Sequence, residues 1–175
     1  MARKLHIGGV ERADGWEVLN VVPGPHVDHV GEARDLSRFE DGSFSAIYAS
    51  HVVEHLDYMG EIQAALAEWR RALEPGGVLY VSVPDLEVLA RLFLEKDKHD
   101  IDERLHLMRM MFGGHVDRYD VHLAGLDEQF LFFLLQQAGF ANVRRVKEFG
   151  LFRDSSTILF KGVPISLNVI AEKSA

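Results

Sequence analysis

The chain of 175 residues contains no cysteine. That excludes disulfides, zinc–thiolate centres and thiol nucleophiles, and it suits a reducing compartment. There is no surplus of positive charge either. The net charge is −8, so a phosphate-tracking basic stripe is not expected and nucleic acid is a poor partner. No apolar run is long enough to span a bilayer. The start, Met-Ala-Arg-Lys-Leu-His-Ile-Gly-Gly, lacks the apolar core of a signal peptide. Cytoplasm is therefore the expected location, with no membrane partner. What is present in quantity is apolar residues, 47% of the chain. That is enough for one globular domain over residues 1–175.

Short apolar runs alternate with helical periodicity. Lys4–Ile7, Glu17–Val22, Val27–Val30, Phe44–Ala49 and Val78–Val83 read as strands. Met59, Ile62, Leu66, Trp69 and Leu73 repeat at helical spacing before a Glu74-Pro-Gly-Gly break. Further helices are expected after Asp85, over Ile101–Phe112, and from Asp127 to Ala138, with Asp85 and Asp127 as N-caps. Val143–Phe149 and Leu167–Ala171 read as late strands, joined by a long loop. Alternating strands and helices imply an α/β three-layer domain with a mostly parallel sheet of six or seven strands. Only Gly9 to Trp16 separates the first two strands, too few residues for a crossover helix. That helix is expected to be missing.

The polar side chains gather in one place. Ser50, His51, Glu54 and His55 follow the strand Phe44–Ala49, and ligands of open parallel sheets bind outside the carboxyl ends of strands. His51 to His55 also spells His-x-x-Glu-His, with two histidines four apart and a carboxylate between them. That is the inverted zinc-hydrolase pattern, but no downstream ligand is evident, so no metal is expected. A packed histidine at a helix start is the simpler reading of His55. The loop from Gly113 to Gly125 carries His115, Asp117, Tyr119 and His122.

Taken in order, Leu5-His-Ile-Gly-Gly9, Val30-Gly-Glu-Ala-Arg-Asp-Leu36, Phe39-Glu-Asp-Gly-Ser-Phe44, Ser50-His-Val-Val-Glu-His-Leu56 and Leu73-Glu-Pro-Gly-Gly-Val-Leu79 resemble the class I S-adenosylmethionine-dependent methyltransferases, specifically the small type 11 group. The likeness is good over Leu5 to Pro84 and looser in the tail. The resemblance implies a Rossmann-like fold ending in an antiparallel hairpin, with S-adenosylmethionine as cofactor. It implies that Gly8 and Gly9 offer bare backbone to the methionine part and that Asn20 holds the ribose. Glu32, with Asp35 as a second candidate, would accept from the adenine amino group, beside the Ala33 backbone. Ser50 and His51 would line the sulfonium. The pattern departs from the family in three ways: a shortened glycine motif, no first crossover helix, and Asn in place of the ribose acid.

The function expected is methyl transfer to a small molecule bearing a hydroxyl or amine, a sugar being one candidate. His51 and His122 are the expected bases, with Tyr119 orienting. A non-catalytic binding or partner protein of the same fold is the main alternative, and a zinc hydrolase the second. Homodimer formation is open.

Overall fold

A computed structural model describes residues 2–174. The strands are β1 (Lys4–Ile7), β2 (Trp16–Asn20), β3 (His29–Val30), β4 (Phe44–Ser50), β5 (Leu73–Pro84), β6 (Phe140–Val146), β7 (Leu159–Phe160), β8 (Val163–Pro164) and β9 (Ser166–Lys173). The helices are α1 (Glu61–Ala72), α2 (Leu86–Leu94), α3 (Ile101–Phe112) and α4 (Glu128–Gln137). Seven strands form one sheet in the order β3-β2-β1-β4-β5-β9-β6, and β7 and β8 form a separate small hairpin. The pairs among β1 to β5 are parallel, while β9 runs antiparallel to both β5 and β6. The chain thus works outward from β1 to β3 and returns to β4 on the other side of β1. The carboxyl ends of β1 and β4 flank that reversal, the place where open sheets of this kind leave a crevice.

One face of the sheet is covered by helices. Leu5, Ile7, Ile47, Leu79, Val81 and Val169 pack with Ile62, Leu66 and Trp69 of α1 and with Leu131 and Leu135 of α4 in the main core. The helical spacing of Ile62, Leu66 and Trp69 puts all three on one side of α1, which is why that helix docks. Trp69 is fully buried, and its indole N–H donates to the Ala33 carbonyl at 2.7 Å. Asp85 and Asp127 do cap α2 and α4, accepting from the backbone of Val88 and Phe130.

The opposite face has no crossover helix between β1 and β2, as the eight-residue spacing predicts. Residues 147–158, on the connection from β6 to β7, form the covering layer there. Phe152 lies 4.2 Å from the His6 ring, 4.6 Å from Tyr48 and 5.3 Å from Trp16, and Phe149 lies against Tyr48 and Tyr80. Polar bonds tie this strap down. The Tyr48 hydroxyl donates to Asp154 at 2.8 Å, Asn168 donates to the carbonyls of Lys147 and Ser156, and Ser166 Oγ donates to the Ser155 carbonyl. The Asp154 carboxyl is held below its usual range. Burial opposes this, but bonds from Ser156 and Tyr48 outweigh it. A smaller cluster of Leu89, Leu92, Leu107, Phe160 and Ile165 joins α2 and α3 to the β7–β8 hairpin.

Several boundaries differ from the periodicity reading. β5 begins at Leu73, because Leu73 pairs with Phe44 and the Pro-Gly-Gly segment is accommodated by a register shift rather than a break. β6 begins at Phe140, whose buried ring anchors it, and ends at Val146. β2 stops at Asn20, because the Asn20 side chain accepts from the Val22 backbone and turns the chain.

Two outcomes follow. Phe152→Ala should lower unfolding stability by about 3 kcal/mol, the usual cost of deleting a buried aromatic ring, measured by urea titration. Glu17 is held down to about 2, first by its hydrogen bond from Arg3 and then by His29, with burial opposing. Its ordinary value is 4.5. A depressed carboxylate stabilises the fold above that value and loses its contribution as pH falls toward 2. Glu17→Gln should therefore flatten the acid limb of the stability curve between about pH 4.5 and 2.

Candidate active site

β4 ends at Ser50, and the next residue turns the chain. His51 has φ of +52°, a left-handed conformation that a non-glycine residue adopts only under constraint. Its backbone N–H still donates to the Ser82 carbonyl at 2.8 Å, so the ladder with β5 holds the strained residue in place. A single turn of 3₁₀ helix, Val53–His55, follows. This turn sends Glu54 inward, not outward.

The Glu54 side chain is 1% exposed, and neither carboxylate oxygen has a hydrogen-bond partner among the described residues. Burial pushes this carboxyl up to about 8, so it is protonated at neutral pH. His51 Nδ1 stands 3.4 Å from Glu54 Oε1, and its Nε2 lies 3.0 Å from Ser166 Oγ. Burial pushes His51 down to about 4. Both partners are therefore neutral near pH 7, and their contact is not an ion pair.

The 113–125 loop is drawn onto this turn by backbone bonds. The Glu54 carbonyl accepts from Leu123 at 2.7 Å and from Ala124 at 3.1 Å. His122 is thereby brought edge-to-face against His55, with ring centroids 4.9 Å apart. Each ring is fixed through Nδ1, His55 at 3.1 Å from the Val121 carbonyl and His122 at 3.3 Å from the Met111 carbonyl. Burial, then the neighbouring His55, lowers the His122 ring. The structure thus supplies the downstream neighbour that the His-x-x-Glu-His pattern lacked in sequence. No local signal could have shown it, since His55 and His122 are far apart along the chain.

The other expected catalytic residue, Tyr119, is at the loop surface, its hydroxyl paired with Arg118. It is not brought against the histidines by any bond among the described residues. Sequence reading also missed Asp154 and Ser166, whose contacts with Tyr48 and His51 depend on the strap.

The residues expected to hold a cofactor are placed as follows. Gly8 ends β1 with φ of +77°, and a side chain there would meet Val52 Cγ2 at 2.7 Å. Positive φ and close packing both require glycine at this position. Gly9 lies tight against the His6 ring. Asn20 donates to the Gly9 carbonyl at 2.9 Å while accepting from Val22. Its side chain therefore joins the ends of β1 and β2. Glu32 and Asp35 are exposed, Glu32 paired with Arg34 and Asp35 accepting from the Ser37 backbone. The Ala33 carbonyl is occupied by Trp69. Ser50 Oγ is buried and unpartnered beside the turn. Gly8, Gly9, Asn20 and Ser50 thus converge on the carboxyl ends of β1, β2 and β4, with Glu32 just past β3. That set fits a nucleoside-bearing cofactor across the reversal: bare backbone on one side, an exposed carboxylate paired with Arg34 on the other, and a bonded floor between them. It does so without a helix N-terminus. A cleft of about 490 Å³ lined by Arg12, Asp14, Trp16 and Asp28 lies at the amino end of β2, away from these residues.

Residues 17–81 match the family model described as a methyltransferase domain, type 11. The match runs from β2 into β5 and leaves the glycine segment of β1 outside it. No curated protein matches the sequence. Among solved structures, a possible exported protein from Bordetella parapertussis superposes with a TM-score of 0.60 at 13% identity over 99% of this chain and 62% of that one. The chain therefore spans less than two thirds of that neighbour's length. A S-adenosylmethionine-dependent methyltransferase from Archaeoglobus fulgidus gives 0.61 at 16% identity, covering 98% of this chain and 86% of that one. The Burkholderia thailandensis 1,6-didemethyltoxoflavin-N1-methyltransferase, solved with its substrate and S-adenosylhomocysteine, gives 0.60 at 16% identity, covering 99% and 72%. The strand order and these comparisons agree: residues 17–81 are similar to the methyltransferase domain model, and the chain has the fold of S-adenosylmethionine-dependent methyltransferases.

Proposed function

We propose that this chain transfers a methyl group from S-adenosylmethionine to a small acceptor bearing a hydroxyl or an amine. The observation that carries the reading is the polar cluster at the carboxyl ends of β1 and β4, on a fold that superposes on an S-adenosylmethionine-dependent methyltransferase with a TM-score of 0.61. The family match and the neighbour bound to S-adenosylhomocysteine support the choice of cofactor.

The cofactor, when bound, supplies an activated methyl group on a sulfonium. The protein's part is positioning, since an in-line displacement gains most from held geometry. The Gly8–Gly9 backbone would face the methionine part and Asn20 the ribose, while Glu32 would accept from the adenine amino group. His51, neutral and fixed between Ser166 and Glu54, would receive the acceptor's proton. The 113–125 loop, bonded to Glu54, would close the acceptor side. His122 remains the second candidate for proton transfer and Tyr119 an outer contact. Residues 1–175 are read as one domain, with a sugar as one candidate acceptor.

Calorimetric titration with S-adenosylmethionine should give saturable binding that S-adenosylhomocysteine displaces. Absence of any saturable heat would leave a non-catalytic member of the fold as the better reading. Glu32→Ala should weaken that binding about tenfold, the loss of one charge-assisted hydrogen bond worth about 1.5 kcal/mol. Gly8→Val is a poor probe, because Val52 already occupies the space and the fold itself would shift.

His51→Ala should lower turnover by roughly 10²–10⁴-fold with cofactor affinity little changed, because a base acts mainly in the transition state. A parallel fall in cofactor affinity and turnover would instead make His51 a wall of the cofactor site.

A further inference from the structure

Glu54 poses a physical problem. A carboxyl group with 1% exposure and no hydrogen bond to either oxygen is costly to bury,. Native proteins pair such groups or give them a metal. Among the described residues no N–H or O–H makes a hydrogen bond to Glu54's oxygens. Two imidazoles do gather beside it. One ligand atom each from Glu54, His55 and His122 lies within 4.8 Å of the other two.

The orientation of the two rings decides what they can do. In each, Nδ1 faces a backbone carbonyl, that of Val121 for His55 and that of Met111 for His122. A carbonyl only accepts, so Nδ1 must carry the proton. Nε2 is then left with a free lone pair on both rings. This is the arrangement of metal-binding histidines, whose second nitrogen donates to a carbonyl or carboxylate that fixes the tautomer.

We propose that Glu54, His55 and His122 bind one divalent transition-metal cation of the zinc class. Two imidazole nitrogens and one carboxylate oxygen are borderline donors, suited to Zn²⁺ and its first-row neighbours and not to Mg²⁺ or Ca²⁺, which take oxygen ligands. Donors about 2.1 Å from a tetrahedral Zn²⁺ lie roughly 3.4 Å apart, so the three groups need to close by about an ångström. That closure would have to come from movement of the 113–125 loop toward the 3₁₀ turn. Three protein ligands leave a position open, as in catalytic rather than structural zinc sites. The ligand set differs from the one the sequence pattern offers, which pairs His51 with His55. Here His51 is engaged by Ser166, and the third ligand comes from a distant loop.

Cation binding stands on these contacts alone. One consequence rests on the methyl-transfer reading: a cation here would sit beside His51 at the end of β4 and make an acceptor hydroxyl easier to deprotonate.

The test needs no cofactor and no substrate. Protein freed of metal with a chelator is titrated calorimetrically with ZnCl₂, and Co²⁺ is used as a visible-absorbing substitute. One equivalent should bind, with the d–d absorption of a low-coordinate Co²⁺ site, and MgCl₂ should not compete. Glu54→Gln and His122→Ala should each weaken binding by roughly 10–100-fold or more, judged against the effect of losing even an outer partner. His115→Ala, which removes an exposed histidine of the same loop, should leave it unchanged. Glu54→Gln is close in shape to the protonated acid, so its metal-free thermal unfolding should match the wild type and exclude misfolding as a cause. No stoichiometric binding overturns the proposal, as does binding that both ligand variants leave intact. Either result can occur whether or not S-adenosylmethionine binds, so the two readings fail separately.

Discussion

A parallel sheet must bury both of its faces, because its strands carry apolar side chains on each. In this chain that requirement falls on a sheet with no crossover helix after β1. His6, Trp16, Tyr48 and Tyr80 would otherwise lie open, and the 147–158 strap covers them through Phe149 and Phe152. A coil cannot satisfy its own backbone as a helix does. The strap therefore depends on side chains from the sheet: Asn168 takes the carbonyls of Lys147 and Ser156, and Ser166 takes that of Ser155. The buried polar groups of β9 are there to receive it.

The same device reaches the candidate site. Ser166 Oγ donates to the strap and lies against His51 Nε2. Tyr48, two residues before Ser50 on β4, bonds to Asp154. The left-handed His51 is thus fixed from three directions: the β5 ladder through Ser82, the strap through Ser166, and the buried Glu54 beneath it. Strain at a strand end persists only where the surroundings over-determine it, and here they do. Glu54 in turn holds the 113–125 loop by its backbone carbonyl while its carboxyl stays unpaired. One residue anchors the loop and carries the least satisfied polar group of the site.

At the cofactor end the trade is different. Loss of the crossover helix removes an N-terminal dipole that would favour an anionic ligand. Asn20 compensates mechanically, bonding Gly9 to the end of β2. It does so with a neutral amide, and neutral hydrogen bonds are roughly half as strong as charge-assisted ones. On the proposed methyl-transfer reading, recognition of the cofactor would then lean on Glu32 and on packing more than on the strand ends.

Much of the fold was legible in the sequence, because it depends on local rules. Short apolar runs marked the strands, the spacing of Ile62, Leu66 and Trp69 marked α1, and Asp85 and Asp127 marked helix starts by their capping chemistry. Eight residues between β1 and β2 sufficed to forbid a helix. The likeness of residues 17–81 to a methyltransferase domain was legible too, since its motifs are contiguous. The site was legible only as a neighbourhood. Ser50, His51, Glu54 and His55 lie within six positions of one another, but their protonation and partners depend on burial, which no local pattern reports. That His55 meets His122, that Glu54 points inward, and that Ser166 and Asp154 matter at all were decided by tertiary packing. Two loops of separate origin are folded onto one strand end, and contacts between them have no sequence periodicity to betray them. The sequence determined where a site had to be, because strand ends and turns are local. Only the tertiary structure determined which side chains share it, because desolvation and coordination act through space.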